Sequence, residues 1–243
     1  MVGEPTSGGI LLIGDHASNR VPSDVDLGIA PHLLKQHIAW DIGVAEVAEL
    51  LIRDGAVDAA ILGNISRLVI DCNRDERAAG LIPIASDGHA IPGNAIAHED
   101  RELRIARFFR PYHAYIAKVL AEARPSFILS LHSFTPQLAE RPAEQRPWEI
   151  GVLYNRDDRL ARIAIPLLEA AGLCVGDQQP YSGQLLNYTM NIHAEGNGIP
   201  YLGLEMRQDG VMTADGQRRM AEIIAQTLRQ CRQNLASNDT LGQ

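Results

Sequence analysis

The chain has 243 residues, 46% hydrophobic, 21% charged and 5% aromatic, with a formal net charge of −8. This is the composition of a soluble globular protein long enough for one sizeable α/β domain, with a core spanning roughly residues 10–235 and a loose C-terminal tail at 236–243. The acidic balance and the absence of any Lys/Arg run exclude a nucleic-acid partner, no apolar run approaches the ~18 residues of a membrane span, and three dispersed cysteines fit a cytoplasmic protein without disulfides.

The first apolar run, Ile10–Gly14, reads as a buried strand that stops at a glycine and hands over to Asp15, His16 and Asn19. Residues 31–40 suggest a short helix. Asp41 then stands where a helix N-cap belongs, ahead of apolar positions Val44, Val47, Ala48, Leu51 and Ile52 at helical spacing, with Gly55 as the stop. Residues 59–62 and 68–71 read as strands. Residues 75–98 carry three glycines and two prolines without periodicity and read as a lid.

A helix follows over residues 99–124, to be kinked or split at Pro111, and then a strand over 127–131. Beyond a polar loop at 133–147 come a strand at 150–154, a helix at 159–171 disturbed by Pro166, and a short strand at 173–176. A brief helix at 189–195 precedes the strand 201–205, and Thr213 caps a final helix ending near residue 235. Strands alternating with helices predict an α/β fold: one three-layer domain with a mixed, mostly parallel sheet flanked by helices. In such folds ligands bind beyond the carboxyl ends of the strands, which is where His16, His132 and Glu205 fall.

Two histidines that each follow a strand point to a metal, because neutral imidazole is a common metal ligand. A third ligand is required, with Asp15, Asp41 and Asp71 as candidates, and Asp41 has an equally strong reading as a helix cap. Glu205 lies in an apolar strand, where an ionised carboxylate is expensive unless it is used or paired. It is a candidate general base, and an ion pair with Arg207 is the plainer alternative. Arg67, Asn73 and Arg74 suit a small carboxylate, and His193 is a secondary candidate for substrate positioning.

The segments DHASNRVP (15–22), HIAWDIG (37–43), SRLVIDCNR (66–74), SLHSFTP (130–136), PYSG (180–183) and GLEMRQD (203–209) together resemble the N-formylglutamate amidohydrolase family over residues 10–209. That family is similar to zinc carboxypeptidases and aspartoacylase. The resemblance implies a zinc-carboxypeptidase-like fold and a zinc or other divalent cofactor held by His16, His132 and a carboxylate. Asn19 stands where the wider group ligates through glutamate, which moves the choice to Asp41. It further implies Glu205 as base, Asn73 and Arg74 as a carboxylate clamp, and Arg67 as a second anion contact; beside these, Arg207 joins His193 as a candidate substrate contact. The implied reaction is hydrolysis of N-formyl-L-glutamate or a related N-acyl amino acid, as in histidine degradation. The competing readings are a deacylase or carboxypeptidase with a larger substrate, and a non-catalytic binder of a small acidic amino acid.

Overall fold

In the computed structural model, the backbone is described for residues 1–241 and side chains for residues 1–237. The chain runs through β1 (Val2–Gly3), β2 (Ile10–Gly14), α1 (Val44–Arg53), β3 (Ala59–Leu62), a two-stranded flap of β4 (Ala85–Ser86) and β5 (His89–Ala90), α2 (His98–Arg104) and α3 (Arg110–Ala123). It continues through β6 (Phe127–Phe134), β7 (Ile150–Leu153), α4 (Arg159–Ala170), β8 (Val175–Asp177), α5 (Tyr188–His193), β9 (Tyr201–Arg207) and α6 (Ala214–Leu241). Seven strands form one sheet in the order β1-β3-β2-β6-β9-β7-β8. Strands β3, β2, β6 and β9 are parallel, whereas β1 and β7 run antiparallel to their neighbours β3 and β9.

Alternation along the strands separates the two faces. Leu12, Phe127, Leu129, Leu131, Leu202 and Leu204 pack with α1, α4 and α6 on one side. Leu11, Ile13, Ile61, Ile128 and Tyr201 pack with α3 and α5 on the other. The result is the expected single three-layer domain. Each fully buried leucine or isoleucine of this core contributes about 1.5–3 kcal/mol by leaving water.

Several local expectations change. Residues 68–71 are a buried turn, since the N–H groups of Val69 and Ile70 return to the carbonyl of Ser66. Leu68, Val69 and Ile70 are buried in a second core with Leu81, Ile82, Ile91, Ile105 and Phe109, so their apolarity reflects burial and not strand pairing. The same core anchors residues 75–98. Asn94 Nδ2 donates to the carbonyls of Leu68 and Pro83 at 2.7 Å each, and Arg104 Nη1 donates to Asn94 Oδ1 at 2.6 Å. The segment is therefore packed onto this core, with β4 and β5 as its outer flap.

Pro111 acts as expected on the long helix. It lacks an N–H and crowds the carbonyl four residues earlier, and residues Ile105–Phe109 immediately before it widen into a π-helical turn joining α2 to α3. The expected helix at 31–40 shrinks to a 3-10 turn at Pro31–Lys35. At the C-terminus α6 continues to Leu241, past the expected end near residue 235; residues 242–243 of the expected tail lie outside the described residues.

Candidate active site

The parallel strands deliver their carboxyl ends to one edge of the sheet, and a cavity of about 380 Å³ opens there. His16 follows β2, His132 lies in β6, and Glu205 in β9 is paired in register with His132. Even-numbered residues of β6 and odd-numbered residues of β9 at this end face away from the α1/α4/α6 layer, so both side chains enter the same space.

Asp41 reaches them through a backbone device. Its N–H donates to the carbonyl of His16 at 2.8 Å, and Ser133 Oγ donates to the carbonyl of Ile42 at 2.8 Å, which holds the 41–43 turn between β2 and β6. Gly43 makes the turn with φ of 86°, and a Cβ there would lie 2.6 Å from Val211 Cγ2. Helix α1 consequently starts at Val44, and the Asp41 side chain does not cap it. Its carboxylate turns instead to the histidines: Oδ2 is 2.9 Å from His132 Nδ1 and 3.5 Å from His16 Nδ1.

These three residues each offer a ligand atom, all within 4.8 Å of one another, and all three are buried. Tetrahedral donors about 2.0–2.2 Å from a metal lie roughly 3.3 Å apart, so the observed separations fit a divalent ion. The far nitrogens of both rings meet other carboxylates. His16 Nε2 is 2.6 Å from Asp71 Oδ1, and His132 Nε2 is 3.3 Å from Asp15 Oδ2. A carboxylate hydrogen-bonded to the far nitrogen fixes a ring's tautomer and is the usual partner of a metal-binding histidine; Asp71 is so placed for His16, whereas His132 Nε2 and Asp15 Oδ2 lie within ion-pair range without a hydrogen bond. Asp15 and Asp71, the two other candidates for third ligand, thus stand behind the rings. Asp15 is held there by Tyr112 and Thr189, which both donate to Oδ1 at 2.8 Å.

Charge in this cluster is balanced internally. Burial works to raise Asp41, but Arg67 and His16 outweigh it and keep the carboxyl well below its ordinary range. Asp71 and Asp15 are likewise held low against burial, Asp71 chiefly by His16 and Arg67, Asp15 chiefly by His132. Burial and Arg67 act to lower His16, yet Asp71 and Asp41 raise it; His132 is raised well above its usual value by Asp15 and Asp41 despite burial. Glu205 differs. Burial pushes it up to about 7, helped by the charge of Asp41 and opposed by His132, and its Oε2 has no hydrogen-bond partner among the described residues. A buried carboxyl with an idle oxygen and a pKa near neutrality can hold or release a proton.

Arg67 is committed to the cluster. Its Nη1 donates to Asp41 Oδ1 at 3.2 Å, its Nη2 to His16 Nδ1 at 2.7 Å, and its Nε lies 3.6 Å from Asp71 Oδ2. Arg74 touches Asp71 only through Nε at 3.5 Å. Asn73 Oδ1 accepts from the N–H of Thr189 at 2.9 Å. Among the described residues, the Nη groups of Arg74 and Nδ2 of Asn73 have no partner, and both residues line the cavity.

Two expected site residues are absent from the cavity. His193 is buried on α5 against His113, with its Nε2 2.8 Å from His113 Nδ1 and the rings stacked 5.1 Å apart; α5 turns it into this aromatic cluster and it does not line the cavity. Arg207 projects beyond the strand end, where Nε donates to Asp209 Oδ1 at 2.8 Å and Nη1 to the carbonyls of Arg146 and Pro147. It anchors a loop rather than a substrate, and it does not pair with Glu205. The sequence reading missed Tyr181, His37 and Asp87, which line the cavity. For Tyr181 and His37 the signal was available, since both lie inside motifs, PYSG and HIAWDIG, whose other residues carried the interpretation.

A sequence model of the N-formylglutamate amidohydrolase family matches residues 8–212. No curated protein matches the sequence. Among solved structures, a gene product of Agrobacterium tumefaciens superposes with a TM-score of 0.87 at 29% identity, covering 95% of this chain and 93% of that one. An N-formylglutamate amidohydrolase from Ralstonia eutropha superposes with a TM-score of 0.75 at 21% identity, covering 96% and 97% of the two chains.

Proposed function

This chain belongs to the N-formylglutamate amidohydrolase family, hydrolases of amide bonds, and we propose that it performs a metal-dependent cleavage of N-formyl-L-glutamate or a close N-acyl amino acid. The observation that carries this reading is the meeting of His16, Asp41 and His132 with the partnerless carboxyl of Glu205 in one cavity. His16, Asp41 and His132 would hold the ion, with zinc as the metal best suited to two imidazoles and one carboxylate in tetrahedral array. Such an ion supplies Lewis acidity, polarising a carbonyl oxygen and bringing the pKa of water towards ~7.

The chain's own groups account for the rest. Glu205 accepts a proton from water as the water oxygen bonds to the acyl carbon. It then returns that proton to the amide nitrogen as the C–N bond breaks, giving the free acid and the amino acid. A pKa near 7 suits both halves of that transfer. Nδ2 of Asn73 and the Nη groups of Arg74 supply a fork of N–H donors for a substrate carboxylate, and this fixes the scissile bond relative to Glu205. Arg67 keeps Asp41 and Asp71 ionised, and its Nη2 would release His16 Nδ1 when that nitrogen holds the ion.

The cavity's size supports a small substrate. Asp87, in the turn between β4 and β5, accepts hydrogen bonds at 3.0 Å from the N–H groups of both Ala139 and Glu140, which ties the flap to the loop after β6 and bounds the space. About 380 Å³ accommodates one acylated amino acid, at the small end of ligand pockets. The test is turnover of N-formyl-, N-acetyl- and peptidyl-L-glutamate by zinc-loaded protein, in wild type and Arg74→Ala. The formyl compound should be preferred, and Arg74→Ala should raise KM about 10-fold or more for it but not for its α-amide. Preference for the peptide, or equal losses on acid and amide, would contradict the reading.

A further inference from the structure

An amide hydrolase must stabilise the oxygen that becomes negative as the acyl carbon turns tetrahedral. The most obvious cation, Arg67, is held by Asp41 and Asp71, and only its Nη2 would be released when His16 Nδ1 takes up an ion. A different group is arranged for this. Tyr181 lines the same cavity as Glu205, and burial, followed by the charge of Glu205, raises the pKa of its phenol, so it stays neutral with a proton to give.

Its hydroxyl oxygen accepts from a cation. Arg146, only 4% exposed, donates from Nη1 to Tyr181 Oη at 3.0 Å. The other guanidinium donors are fixed: Nε and Nη2 donate to Glu144 Oε1 at 3.0 and 2.8 Å, and Nη1 also reaches the carbonyl of Thr135 at 3.3 Å. The backbone of Arg146 is in turn clamped by Arg207, two residues beyond Glu205 on β9. Burying a guanidinium is costly unless its donors are used, and this one spends a donor on a phenol oxygen. With its lone pair engaged by a cation, the hydroxyl has its hydrogen left for an acceptor. Among the described residues it donates to none.

We propose that Tyr181 is a catalytic residue that donates its phenolic hydrogen to the developing oxyanion, and that Arg146 is the positioning residue which orients and polarises it. The inference rests on the amidohydrolase reading above. Removing one such donor lowers kcat about 10²- to 10³-fold while leaving ground-state binding almost unchanged, because the interaction forms only with the transition state.

The experiment uses zinc-loaded full-length wild type and Tyr181→Phe. It measures kcat and KM for N-formyl- and N-acetyl-L-glutamate, metal content, and calorimetric affinity for L-glutamate and for N-phosphono-L-glutamate, whose phosphoryl oxygens imitate the tetrahedral species. Tyr181→Phe should retain metal and glutamate affinity, lower kcat about 100-fold with KM within about threefold, and weaken the phosphoramidate by a similar factor. Arg146→Gln should lower kcat with the same KM split, and should add little in the Tyr181→Phe background. An unchanged kcat in Tyr181→Phe, or equal weakening of glutamate and phosphoramidate, overturns the role of Tyr181 even if Arg146→Gln fails to fold. A wild type that turns over neither substrate and binds neither ligand overturns the functional reading itself, and the inference with it.

Discussion

His132 on β6 and Glu205 on β9 are register partners in adjacent parallel strands. One side chain turns its Nδ1 to Asp41, and the other leaves a carboxyl oxygen without a partner in the same cavity. The sheet itself therefore sets the spacing between the candidate metal cluster and the candidate base. That pair sits on hydrogen-bonded strand backbone, whereas His16 and Asp41 join it from the loop after β2 and the 41–43 turn.

Glu205→Gln should separate the two functions. The amide keeps the shape and cannot accept a proton, so zinc affinity should stay within a few-fold while kcat falls about 10²- to 10⁴-fold. Elemental analysis beside steady-state kinetics measures both. Loss of metal from the variant would make Glu205 a ligand instead.

Asp71→Asn tests the carboxylates behind the rings. Asp71 accepts from His16 at 2.6 Å and is held ionised by His16 and Arg67, so its charge supports the basicity of that imidazole. Zinc affinity should fall about 10- to 100-fold without loss of stoichiometry at saturating metal. Chelator competition that returns wild-type affinity would reduce Asp71 to packing.

His193 provides a pH signature away from the site. Burial, reinforced by the charge of His113, lowers its folded pKa to about 4, below its ordinary 6.5. The unfolded chain then binds the extra proton between those values, so its contribution to stability is intact above pH 6.5 and declines as pH falls towards 4. Urea unfolding at pH 7 and pH 5 should show wild type losing about 1–2 kcal/mol more than His193→Gln over that interval. Equal losses in the two proteins would place the acid sensitivity elsewhere.

Much of this arrangement is legible in the sequence because strands β2, β6 and β9 are apolar runs that end in polar residues, and parallel strands must bring such ends together. The boundaries and some identities are not. Leu68, Val69 and Ile70 look like a strand because burial in a turn and burial in a sheet select the same side chains. Asp41 offers a capping oxygen at a plausible place, and only the left-handed Gly43 moves the helix start on and frees the carboxylate. His193 and Arg207 carry the right chemistry, but which way α5 and the end of β9 turn them is decided by packing against His113 and the 146–147 loop. Tyr181 and Arg146 lie 35 residues apart and meet through two irregular loops, which no periodicity marks.

A competitive zinc titration of apo wild type and apo Asp41→Asn decides whether His16, Asp41 and His132 hold a metal. If His16, Asp41 and His132 form the metal site, wild type binds one zinc per chain, and replacing the carboxylate by a neutral amide weakens the affinity by about 100-fold or more. Circular dichroism should show α1 intact in the variant, since Asp41 does not cap it. Indistinguishable zinc dissociation constants for the two proteins would remove Asp41 from the metal site.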